Sequence, residues 1–184
     1  MLYNFARAIV LSAAAVVLAS VSALAGAQDG GSFRQFLAAY RCAVVDRLER
    51  IYEAGDPSSH YDRFIAISVV GHPHGYVQCM FYDNRLKLLC EAASGYYFDA
   101  EDEPRTFWLS REALAVLRGL GFSNEDVQGN HALELDVAIP PDFNAIADLI
   151  LKALYGAYDA RANSRLSFNA PFAPRESSSC IPVS

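Results

Sequence analysis

The chain has 184 residues, 53% of them hydrophobic and 20% charged, with a formal net charge of −6 at pH 7. That length fills one core and is short for two. An acidic chain without a Lys/Arg cluster has nothing with which to neutralise a phosphate backbone, so no nucleic acid is expected as a partner.

Residues 1–7 carry one positive charge, Arg7, and residues 8–21 form a run whose only polar members are Ser12 and Ser20. Ala23-Leu24-Ala25 and Ala25-Gly26-Ala27 both fit the small-x-small pattern of signal peptidase, so residues 1–25 read as a signal peptide cut after Ala25 or Ala27. The alternative is a retained anchor, since roughly 18 apolar residues can span a bilayer core. The polar, Gly-rich sequence next to the cleavage positions favours removal. The protein is therefore expected to be exported, periplasmic or secreted, with no membrane span after cleavage. The mature chain divides into a single domain over residues 32–158 and a Pro- and Ser-rich tail over 159–184, in which little regular structure is expected.

Over residues 32–54, Phe33, Phe36, Leu37, Tyr40, Val44, Leu48 and Ile51 recur at helical spacing and form one apolar stripe. Ser32 with Gln35 suits a capping box, and Gly55-Asp56-Pro57 supplies the stop. Cys42 lies nine positions after Phe33, about 180° from the stripe at this period, and should face away from the core.

Residues 64–70 are β-branched and apolar, a buried strand by composition, and Gly71-His72-Pro73-His74-Gly75 is a turn by its Gly and Pro content. Tyr76 to Tyr82 and Leu86 to Glu91 then flank Asp83-Asn84-Arg85 as a hairpin. A two-residue Asp83-Asn84 turn sets Val77 against Cys90; a turn one residue later sets Cys79 against Cys90. Both registers put Val77, Cys79, Phe81, Leu86, Leu88 and Cys90 on one face. Ser110 can cap a helix carrying Leu114, Leu117 and Leu120, which Gly121 would end. A strand is expected at 132–139, and Pro140-Pro141-Asp142 opens a helix with Phe143, Ile146, Ile150, Ala153 and Leu154 on one face. The order helix, three-stranded meander, helix, strand, helix is an α+β layout, with helices covering one face of an antiparallel sheet.

Candidate chemistry is sparse. The sequence holds no His-Glu-x-x-His helix, Gly-x-Ser-x-Gly elbow, phosphate-cradling Gly loop or paired Cys-x-x-Cys motif. No cofactor and no catalytic residue is expected. His72 and His74 are the candidate metal ligands, since two imidazoles on one turn can share a transition metal if His60 or His131 supplies a third; the plainer reading is a polar turn shaped by its Gly and Pro. The acidic run at residues 99–103 lacks the ligand alternation and turn Gly of a calcium loop. The 4 cysteines allow Cys79–Cys90, in the register that sets them opposite, and Cys42–Cys180, which would tie down the tail. The hairpin pair could equally stay as two buried thiols. Tyr96, Tyr97, Phe98, Phe107 and Trp108 flank the acidic loop and form a candidate interface, although any one of them could fill the core instead.

Tyr76-Val77-Gln78, Leu109-Ser110-Arg111-Glu112 leading to Leu117-Arg118-Gly119-Leu120-Gly121-Phe122, and Ile146-Ala147-Asp148-Leu149-Ile150 to Leu154-Tyr155-Gly156 together resemble the TY-Chap and YbjN-like group. That group shares the fold of type III secretion chaperones, and the likeness runs over residues 32–158. The resemblance implies a secretion-chaperone-like binding surface for a protein or peptide segment, often in homodimers, and no chemistry. The export signal departs from it, because secretion chaperones act in the cytoplasm. A non-enzymatic exported binding module is therefore the expectation, with a small metal-dependent hydrolase centred on His72 and His74 as the alternative.

Overall fold

The computed structural model describes residues 22–56, 58, 62–72, 75–95, 109–123, 129–175 and 180, with side chains from Phe33 onward. The signal-like stretch before Ser22, His60, His74 and the aromatic residues Tyr96, Tyr97, Phe98, Phe107 and Trp108 lie outside these residues.

The first helix, α1, runs Ser22–Glu53. It starts earlier than the cap expected at Ser32, and the two expected cleavage positions fall within it. Alanine and leucine carry the highest helix propensity, so the segment 22–27 can continue the amphipathic helix toward the N-terminus at the cost of Gly26, Gly30 and Gly31. The apolar stripe is as expected: Phe36, Val44, Leu48 and Ile51 are fully buried, and Phe33, Leu37 and Tyr40 pack half-buried beside them.

Strands β1 (Phe64–Val69), β2 (Tyr76–Tyr82) and β3 (Lys87–Ala92) form the expected meander. Each alternates half-buried and buried residues along its length, as a sheet covered on one face requires. Helix α2 (Arg111–Gly119) is capped by Ser110, whose Oγ accepts from the Ala113 N–H at 3.1 Å. It ends at Gly121, φ +94°, where the Phe122 N–H returns to the Leu117 carbonyl at 3.0 Å. Strand β4 (His131–Asp136) is followed by α3 (Phe143–Ala157), capped by Asp142. The tail, expected to hold little regular structure, instead supplies β5 (Leu166–Asn169). Its four residues are too short for a periodic signal, and what makes them a strand is pairing with β1.

The sheet is antiparallel throughout, in the order β4-β3-β2-β1-β5. The ladder registers place Ile65, Cys79, Cys90 and Leu133 in one cross-strand row, with Phe81, Leu88 and Leu135 in another. Both rows face the helices. Helix α3 packs antiparallel to α1: the Phe33 and Phe36 rings meet Tyr155 at 5.1 and 5.8 Å at one end, and Tyr52 meets Phe143 at 5.5 Å at the other. Arg41 pairs with Asp148 at 2.5 Å between them.

Two arginines close the C-terminal end of α1. Arg63, 1% exposed, donates to the carbonyls of Ile51 at 3.1 Å, Tyr52 at 2.8 Å and Asp56 at 2.6 Å. Arg85 donates to the carbonyls of Glu53 and Gly55, each at 3.2 Å, and stacks over Tyr52. The last carbonyls of a helix have no partner within it and carry its negative dipole end, so a guanidinium satisfies both needs there.

Candidate functional site

All 4 cysteines are paired. Cys79 bridges Cys90 across β2 and β3, inside the core, and Cys42 on the outer side of α1 bridges Cys180. The Cys42–Cys180 pair is as expected, and the hairpin pair, left open by the sequence, is bonded because the turn lies one residue later than Asp83-Asn84 and sets Cys79 opposite Cys90. Two disulfides fit an oxidising environment. No helix among the described residues is long and apolar enough to cross a membrane.

The histidine turn does not assemble a metal site among the described residues, where no group of three or more His, Cys, Asp or Glu side chains converges. His72 is exposed on the turn between β1 and β2. His131 opens β4, two to three strand spacings away, roughly 10–14 Å. His131 is buried beside Ala92; burial, and secondarily the positive charge of Arg118, hold its pKa below the usual 6.5.

A recess of about 650 Å³ lies between α2 and α3, lined by Phe33, Glu112, Val116, Lys152, Tyr155 and Arg161. Arg161 is already committed there: it pairs with Asp159, donates to the Tyr155 and Ala160 carbonyls at 2.9 Å, and lies over the Tyr155 ring. Its charge serves the end of α3.

A smaller groove of about 330 Å³ is built differently. It lies between the helix-facing side of β4, the face of α3 and the end of α2, and six half-buried apolar side chains line it: Leu120, Leu133, Leu135, Val137, Ile146 and Leu149. Leu88, fully buried, lines it too. Alternation in β4 puts Leu133 and Leu135 into the groove, and helical spacing puts Ile146 and Leu149 opposite them. Two exposed apolar residues stand at the sheet end of the groove, Leu86 at 45% and Ile139 at 76% exposure, and the Val137 N–H donates to the Leu86 carbonyl at 2.8 Å.

Among the described strands, β4 is also an edge of the sheet. Among the described residues its outer side is bridged once, where Ala132 and Ser123 exchange backbone hydrogen bonds at 2.7 and 2.8 Å. In an antiparallel strand every second residue turns its N–H and C=O to the same side, so Glu134 and Asp136 follow Ala132 in pointing outward. Among the described residues none pairs with their backbone. Their side chains lie on the sheet face away from the helices, 55% and 86% exposed, with Lys87 bridging them at 3.3 and 2.7 Å. The Tyr82 hydroxyl, followed by Lys87, holds the Glu134 carboxyl below its usual range, so it is charged at neutral pH.

The sequence singled out none of these groove residues as a site. The signal was present in Leu133-Glu134-Leu135-Asp136-Val137, where apolar and acidic residues alternate strictly, but only the order of strands shows that this segment is an edge. The chain matches no protein-family model, no curated protein and no solved structure.

Proposed function

We propose that the protein is an exported, non-enzymatic binding module that takes up an extended protein segment as a sixth strand beside β4. The observation that carries this reading is the coincidence of an edge strand with an apolar groove directly beneath it. A segment added to an edge gains main-chain hydrogen bonds, and its alternate side chains drop into whatever pockets flank the edge. Here those side chains meet Leu133, Leu135, Ile146 and Leu149, and each apolar side chain buried contributes roughly 1.5–3 kcal/mol. Export is supported by the signal-like N-terminus and by the pairing of all four cysteines. The resemblance to the TY-Chap and YbjN-like group supports the same kind of surface, with the client met outside the cytoplasm.

The reading is tested by fluorescence anisotropy with a labelled nine-residue peptide alternating valine and threonine. Binding is expected to the oxidised protein and to weaken by about tenfold or more in Leu135→Asp and Ile146→Asp, with circular dichroism confirming that both variants fold. Absence of binding, or binding indifferent to both substitutions, overturns it.

A further inference from the structure

The two faces of an added strand would meet different surroundings, and this specifies the segment. Residues of the incoming strand on the helix side meet the apolar groove; the alternate residues stand beside the side chains of Glu134 and Asp136, because cross-strand neighbours share a face. That row carries two carboxylates against the single ammonium of Lys87, and Asp83 stands beyond Tyr82, so the edge presents net negative charge. Lys87 approaches from β3, on the inner side of the row, which leaves the outer side of the carboxylates to an added strand.

We infer that the segment received at β4 alternates apolar with basic residues, the apolar set filling the groove and the basic set pairing with Glu134 and Asp136. This rests on the strand-addition reading and narrows it to a partner chemistry. A second copy of this chain does not satisfy it. Antiparallel pairing of two β4 edges sets Glu134 against Glu134 in one register and Glu134 against Asp136 in the next, and like charges directly opposite destabilise a pair. The chain's own net charge of −6 points the same way, favouring a basic occupant over self-association.

The test uses three labelled nine-residue peptides in which valine alternates with lysine, threonine or glutamate, titrated into the oxidised full chain by anisotropy at low and at physiological salt. The lysine peptide is expected to bind about tenfold more tightly than the glutamate peptide, the threonine peptide between them, and the gap to narrow with salt. In the double variant Glu134→Gln, Asp136→Asn the three peptides are expected to converge. Both side chains are exposed, so the fold should tolerate the change. Equal binding of the three to the unaltered protein, or a lysine preference that survives the double variant, overturns the inference while leaving strand addition standing. Failure of all three to bind overturns strand addition itself, and the inference with it.

Discussion

Cys79 stands directly opposite Cys90 in the β2–β3 ladder and is bonded to it, Cα atoms 4.0 Å apart, with both residues fully buried. Cys42, by contrast, sits exposed on α1 where it holds Cys180. Thiol–disulfide exchange needs an attacking thiolate to reach a sulfur, so access decides the order of reduction. Under mild reductant without denaturant, Cys42 and Cys180 are expected to be alkylated first and Cys79 and Cys90 only on unfolding, as peptide mass spectrometry would show. Equal labelling of both pairs in the folded protein would contradict the burial of the hairpin bridge.

Arg63→Met removes a buried guanidinium that donates to three main-chain carbonyls. Leaving such acceptors unpaired costs about 1–3 kcal/mol each when they stay buried. The variant is expected to lose about 2–4 kcal/mol in urea unfolding, and Arg63→Lys to recover only part, because an ammonium lacks the planar fork that reaches several acceptors at once.

Gly156 packs where a Cβ would lie 2.6 Å from the Val116 Cγ1, so α2 and α3 touch through a hydrogen. Gly156→Ala forces the helices apart and is expected to destabilise by about 1–3 kcal/mol. Val116→Ala in the same chain should recover much of that loss, and a double-mutant cycle measures the coupling.

These residues mark what was legible in the sequence and what was not. Helices, meander and caps follow from period and from Ser110, Gly121 and Asp142, because each is a local property of the chain. The hairpin register was ambiguous for a physical reason. Asp83, Asn84 and Arg85 all take positive φ, at 46°, 53° and 70°, and an arginine is uncommon in that region. What holds Arg85 there is its contact with the end of α1, a tertiary interaction with no trace in local pattern. Strand β5 has no local signal for the same reason, since Leu166-Ser167-Phe168-Asn169 becomes a strand only beside β1. The β4 groove needed both the strand order and the placement of α3. Its acidic and apolar faces were written in alternation, but edge position is a property of topology.

His131 supplies a pH dependence. Its folded pKa lies below the usual 6.5 because burial disfavours the charged ring, with Arg118 adding repulsion. The unfolded state therefore binds the proton more readily, and stability falls as pH drops through about 6.5 toward the lower folded value. The thermal midpoint is expected to decline between roughly pH 7.5 and 5.5. His131→Leu should flatten that part of the curve, and an unchanged slope would assign the effect to other groups.

The most direct measurement of strand addition is amide hydrogen exchange along β4 with and without a saturating concentration of the valine–lysine peptide. Glu134 and Asp136 are expected to exchange rapidly in the free protein and to slow by at least about tenfold when the peptide is bound, while Leu133 and Leu135, already paired with β3, change little. Bound peptide that leaves the Glu134 and Asp136 amides as fast as before would contradict it.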